Sequence, residues 1–189
     1  MSLTPKPLIT VLARTILAAL GAIFLGAVLF VGFYDLHDFR PYAGRIEAVY
    51  ESMEPEDRQP PPNVQRFIWK VDGHIVDTFA ASRLSPELRG QMNMGSWHYH
   101  SLMWDLMLHF HFDKQQRLAL YCHYLPHENG VGFSAAARAY FGKQPHELAD
   151  EQLATLVAIG RSPGANSPTR HPEHLERIKL RLLEASKSQ

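Results

Sequence analysis

Apolar and polar positions divide the chain near Asp35. Before that point runs Thr15 to Phe33, TILAALGAIFLGAVLFVGF, nineteen residues without a charge. At about 1.5 Å rise per residue this is long enough to cross a ~30 Å hydrocarbon core as one helix. Beyond it the apolar residues recur at helical spacing. Between Ser96 and Phe112, Trp97, Leu102, Met103, Leu106, Met107 and Phe110 fall near a 3.6-residue period and predict a core helix. Asp113 is placed to cap the next helix, Lys114 to about Tyr124, and Ser134 to cap one running to Tyr140, stopped by Phe141-Gly142. Asn63 is read as the cap of a helix starting at Val64, before a turn at Asp72-Gly73. Ser85-Pro86-Glu87 reads as a helix start with proline in the first helical position. Further helices are expected at 38–53, Glu147 to Ile159 and Pro172 to Leu183. Only Glu51 to Asn63, acidic and then proline-rich, reads as extended or turn-like. The pattern is that of an all-α protein.

Charge around the apolar stretch orients it. Lys6 and Arg14 precede it, and Asp35 and Asp38 follow. The positive-inside bias puts the short tail in the cytoplasm and the bulk of the chain outside. The exit VGFYDLHD offers bulky residues where a signal-peptide cleavage site needs small ones, so an uncleaved anchor is expected. The organisation read from this is a tail at 1–14, an anchor at 15–34, a juxtamembrane helix and proline-rich linker at 35–63, and one domain at 64–189. Ala18, Ala22 and Gly26 form a small-residue stripe on the anchor, ordinary for such helices. With 19 basic and 19 acidic residues and no basic run, nothing points to nucleic acid. A single cysteine, Cys122, excludes an intrachain disulfide. No cofactor motif is present.

Gly132 to Ala185 carries more specific information. AAARAYFGK (Ala135 to Lys143), HELADEQLATLVAI (His146 to Ile159) and RSPGANSPTRHPEHLERIKLRLL (Arg161 to Leu183) resemble, in order, three segments of the peptidoglycan glycosyltransferase domain, glycosyltransferase family 51. This is the transglycosylase domain of penicillin-binding proteins and monofunctional transglycosylases. The resemblance implies a lysozyme-like all-α fold. It also implies a mechanism that joins lipid-linked disaccharides with two glutamates, one as base and one assisting the departing pyrophosphate lipid. Proton transfer of that kind needs carboxylates within hydrogen-bond reach of the reacting atoms.

The catalytic positions depart from the pattern. Pro61 to Asp72 resembles the segment bearing the first glutamate, with Gln65, Phe67 and Ile68 held and Asp72 on the family's aspartate; Val71 stands where the glutamate belongs. Extending the C-terminal match backwards sets Trp97 to Ser101 on the R-K-x-x-E segment, so that Ser101 replaces the second glutamate. In another register Gly95-Ser96 falls on the donor-site motif and the second glutamate segment is deleted; both registers lose the acid. The resemblance carries over Lys114, Tyr121, Asn129 and Arg177 as substrate-binding positions. Valine holds no proton, and serine stays protonated without an adjacent base. A degenerate, shortened, non-catalytic domain is therefore expected, with Asp72 and Asp105 as the fallback acids of a divergent enzyme.

Eleven histidines open a further alternative, a metal-binding module. His98, His109, His123 and His127 are its candidates. Neighbours within each H-x-H lie about 200° apart on a helix, which does not make a bidentate site, so no metal is expected. Trp97, Tyr99, His100 and Trp104 are read as a partner-contact patch over a cleft that has lost its covering lobe. The expected role is a regulator or partner in peptidoglycan and envelope assembly. It is placed in a bacterial inner membrane with the domain in the periplasm, contacting a membrane or periplasmic protein and, if binding survives, a lipid-linked sugar.

Overall fold

A computed structural model describes residues 6–90 and 93–187, and the chain separates into two units, up to Ala43 and from Gly44 onward. In the first unit α1, Lys6–Tyr34, contains the apolar segment and is followed by a π-helical turn, Asp35–Phe39, and a 3₁₀ turn, Arg40–Tyr42. It is long and apolar enough to cross a membrane, and most of its large apolar side chains between Val11 and Phe33 are exposed. Such a surface has no stable place in water.

The second unit is helical apart from one short hairpin. Its elements are α2 Ala43–Ser52, α3 Pro55–Arg58, α4 Pro62–Val71, α5 Val76–Arg89, α6 Met94–His111 and α7 Lys114–His123. A hairpin follows, β1 Pro126–His127 against β2 Gly130–Val131, with Pro126 opposite Val131. The remainder is α8 Phe133–Phe141, a single turn at Pro145–Glu147, α9 Asp150–Arg161 and α10 Pro172–Lys187.

The core lies where α4, α7, α8 and α10 meet α9. On α4, Val64, Phe67, Ile68 and Val71 sit at i, i+3, i+4 and i+7 and are all buried. On α9 the run Leu153 to Gly160 is buried on nearly every side apart from the half-buried Thr155, as in a central helix. Gly160 is there for closeness: a Cβ would fall 2.3 Å from Leu125 Cδ1. Asp113 closes a reciprocal capping box with Gln116, at 2.8 and 2.9 Å, and starts α7 as expected. Outside this core α5 packs on α7, and α6 packs chiefly on α5.

Four local expectations change. Pro86 lies inside α5, which begins ten residues earlier at Val76. The buried stripe Val76, Ala80, Ala81, Leu84 and Leu88 outweighs the one backbone bond that proline removes. Asn63 caps nothing; α4 starts at Pro62, and the Asn63 amide donates to the carbonyls of Pro145 and Leu148 at 3.0 Å. Ser134 is already inside α8, whose first turn follows Gly132 at φ 110°. On α6 the buried residues are Ser101, Met103, Trp104, Met107 and Leu108, while Leu102 and Phe110 point outward.

Candidate functional site

The positions on which catalysis would rest are closed. Val71 is packed in the core cluster at the end of α4. Asp72, next to it, is completely buried, and its carboxylate is fully engaged. Arg161, from the end of α9, binds Oδ1 through Nε at 3.1 Å and through Nη2, and Nη2 also donates to the Val71 carbonyl at 3.2 Å. The Tyr121 hydroxyl donates to Oδ2 at 2.5 Å. Burial, then the Asp72 charge, pushes the Tyr121 hydroxyl well above its usual range, so it stays protonated and serves as a donor. Asp72, read as a fallback acid, is enclosed here and joins α4, α7 and α9. Tyr121, carried over as a substrate contact, is equally enclosed.

Ser101 is buried on the inner side of α6, and its hydroxyl has no partner among the described residues. One turn further on, Asp105 reaches a different environment. It lines a cavity of about 360 Å³ with Asp77, Leu102, Met103, Leu106 and His109. Arg117, from α7, pairs with Asp77 at 2.6 Å and also donates to His109 Nδ1. His109 Nδ1 lies 3.4 Å from Asp77. Asp105 hydrogen-bonds Thr78, and burial followed by the nearby Asp77 charge raises its carboxyl above the ordinary range. The cleft therefore has apolar walls, one neutralised carboxylate and one acid without an ion pair among the described residues.

A third constellation was not legible in the sequence. Asp57, on the four-residue helix α3, is buried and accepts from the Ser134 backbone N–H at 2.8 Å and hydroxyl at 2.6 Å. It thereby caps α8 from outside, and a Cβ on Gly132 would fall 3.2 Å from Asp57 Oδ2. Burial raises its carboxyl to about 6, against the opposing pull of the Ser134 bonds. Beside it Arg138 grips Glu54 at 2.5 and 2.7 Å, which lowers the Glu54 carboxyl. The only sequence signal was an acidic triplet ahead of the prolines.

The remaining candidates are scattered. Lys114 lies over the Trp69 ring at 4.5 Å, the Asn129 amide turns back to His127 Nδ1 at 3.3 Å, and Arg177 contacts His174 at 2.6 Å. Of the partner-contact group, Tyr99 is exposed and Trp97 and His100 are half-buried, but Trp104 is wholly enclosed against α5 and is unavailable to a partner. His98 and His109 are exposed on α6; His123 and His127 are half-buried, and burial lowers both. Among the described residues no three His, Cys, Asp or Glu side chains converge to hold a metal ion.

Residues 96–187, from early in α6 to the end of α10, match the transglycosylase family model. This all-α region is a transglycosylase-type domain. The chain is 34% identical over 80 residues to penicillin-binding protein 1C of Escherichia coli, covering 42% of this chain and 10% of the relative. It is 38% identical over 78 residues to penicillin-binding protein 1A of Aquifex aeolicus, covering 39% and 11%. To penicillin-binding protein 1B of Haemophilus influenzae it is 34% identical over 87 residues, covering 42% and 11%. The matched part is thus about a tenth of each relative's length. It begins after Asp72, so the likeness of Pro61 to Asp72 to the first catalytic segment lies outside it.

Proposed function

We propose that this chain is a single-pass inner-membrane protein whose transglycosylase-type domain, at 64–189, lies in the periplasm and no longer polymerises glycan. Its role is that of a partner or regulator in peptidoglycan and envelope assembly. In this reading 1–14 is a cytoplasmic tail, 15–34 the anchor and 35–63 the connecting segment. The observation that carries it is the state of the first acid position: a buried valine beside an aspartate locked between Arg161 and Tyr121. Each missing acid–base group removes on the order of 10²–10⁴ in rate. The apolar α1 and the similarity to penicillin-binding proteins support the membrane setting.

The test is glycan polymerisation from lipid-linked disaccharide by the full chain in detergent, beside an active transglycosylase. No product is expected at enzyme levels where the comparison reaction is complete. Product formation that Asp105→Asn abolishes would establish a divergent enzyme instead.

A further inference from the structure

Helix α6 is apolar on both sides, and only one side is covered. At about 100° per residue, Ser101, Met103, Trp104, Met107 and Leu108 occupy one arc, and these are the buried residues. Tyr99, Leu102, Asp105, Leu106, His109 and Phe110 occupy the opposite arc. There Leu102 is 68% exposed, Phe110 63% and Tyr99 42%, with Met94 at 77% one end away. Elsewhere in the second unit large apolar side chains are exposed only singly, at Val131 and Leu180, among the described residues. A helix with two apolar faces is ordinarily covered on both.

The centre of the open face is an acidic socket. The cavity beside α6 is lined by Leu102, Met103 and Leu106 together with Asp77, Asp105 and His109. Arg117 pairs with Asp77 at 2.6 Å and also meets His109 Nδ1. Asp105 has no ion pair among the described residues, and burial, followed by the nearby Asp77 charge, raises its carboxyl above the ordinary range. An apolar cavity that holds a carboxyl without an ion pair among the described residues fits an alkyl stem ending in a cation.

We propose that the outer face of α6 docks a segment of a partner protein that seats one Lys or Arg side chain on Asp105 between Leu102, Met103 and Leu106. This inference rests on the partner reading above and names where the partner binds and what it presents. Met94 to His111 contains neither Lys nor Arg. A second copy meeting this face through α6 alone therefore has no Lys or Arg to offer Asp105. A helix lying on a bilayer carries basic residues along its polar border for the anionic surface, and this one has an acid instead. A basic residue set among apolar ones on another protein complements both the charge and the surface.

The experiment places a photo-crosslinking amino acid at Leu102 or Phe110 in the full chain in its native membrane, with Leu180 on α10 as the control position. Crosslinks to one protein are expected from both α6 positions, at a segment containing Lys or Arg. Asp105→Lys should lower their yield about tenfold or more. Changing the crosslinked basic residue to Glu should restore it in that background. Asp105→Asn, with helix content and melting compared to wild type, separates loss of docking from loss of fold; lower yield with unchanged melting is the expected result. Crosslinks to lipid or a second copy only, or a yield indifferent to Asp105→Lys, overturn the proposal. A protein captured from Leu180 alone overturns this surface and leaves the partner reading standing; no protein from any position removes both.

Discussion

Asp57 offers a prediction whose sign and size follow from its surroundings. In the folded chain its carboxyl holds a proton up to about pH 6, whereas the unperturbed value is 3.8. Between those two values the folded state binds more protons than the unfolded state. Linkage then requires stability to fall as pH rises through that window. The span is about two pH units at about 1.4 kcal/mol each, so the loss is about 3 kcal/mol, complete above pH 6 and absent below pH 4. Asp57→Asn removes the titration and keeps an oxygen to accept from Ser134. The variant should match wild type near pH 4 and exceed it by up to about 3 kcal/mol at pH 7.5. Asp57→Ala instead leaves two buried donors without an acceptor, costing about 1–3 kcal/mol for each at every pH. Urea unfolding of the full chain in detergent, followed by tryptophan fluorescence at pH 4.5 to 7.5, reads the difference between variant and wild type. Glu54, whose carboxyl is lowered by Arg138, contributes the opposite slope to both proteins and cancels in that difference. A difference independent of pH would refute the reasoning. A variant less stable than wild type at pH 7.5 would show that the charge at the start of α8 outweighs the burial.

Other outcomes follow from the same packing. Asp72→Ala should cost about 3–5 kcal/mol, because Arg161 and Tyr121 lose a buried partner; a loss below about 1 kcal/mol in urea unfolding would mean that this ion pair does not hold the helices together. Gly160→Ala should destabilise by about 1–3 kcal/mol, since the new methyl meets the fully buried Leu125, and Leu125→Ala should recover part of that loss in a double-mutant cycle. The chain should remain with membranes through a carbonate wash and keep the residues ahead of Thr15, as N-terminal sequencing would establish; a mature terminus beyond Tyr34 contradicts an uncleaved anchor.

Much of this protein follows from local rules. Nineteen uncharged residues from Thr15 form a helix in any apolar medium, because the backbone must satisfy its own hydrogen bonds there. The stripe Val64, Phe67, Ile68 and Val71, the Asp113–Gln116 box and the stop at Gly142, left-handed at φ 63°, each depend on residues within one or two turns. That a valine, Val71, stands where the resembled segment carries a glutamate is likewise read from the letters. What a helical period cannot assign is which of two apolar faces turns inward. On α6 the choice fell on Trp104 and Met107 rather than Leu102 and Phe110, because α5 lies on that side. Nor does any local rule pair Asp57 with Ser134, 77 residues apart, or Asp72 with Arg161, 89 apart. Those contacts exist only once separate helices have packed, and burial then turns ordinary surface acids into a helix cap and an interhelical tie. The sequence alone determines the all-helical character and the apolar segment. Tertiary packing decides which remaining acids are enclosed and which, like Asp105, stay open to a cleft, since desolvation and pairing depend on neighbours far away along the chain.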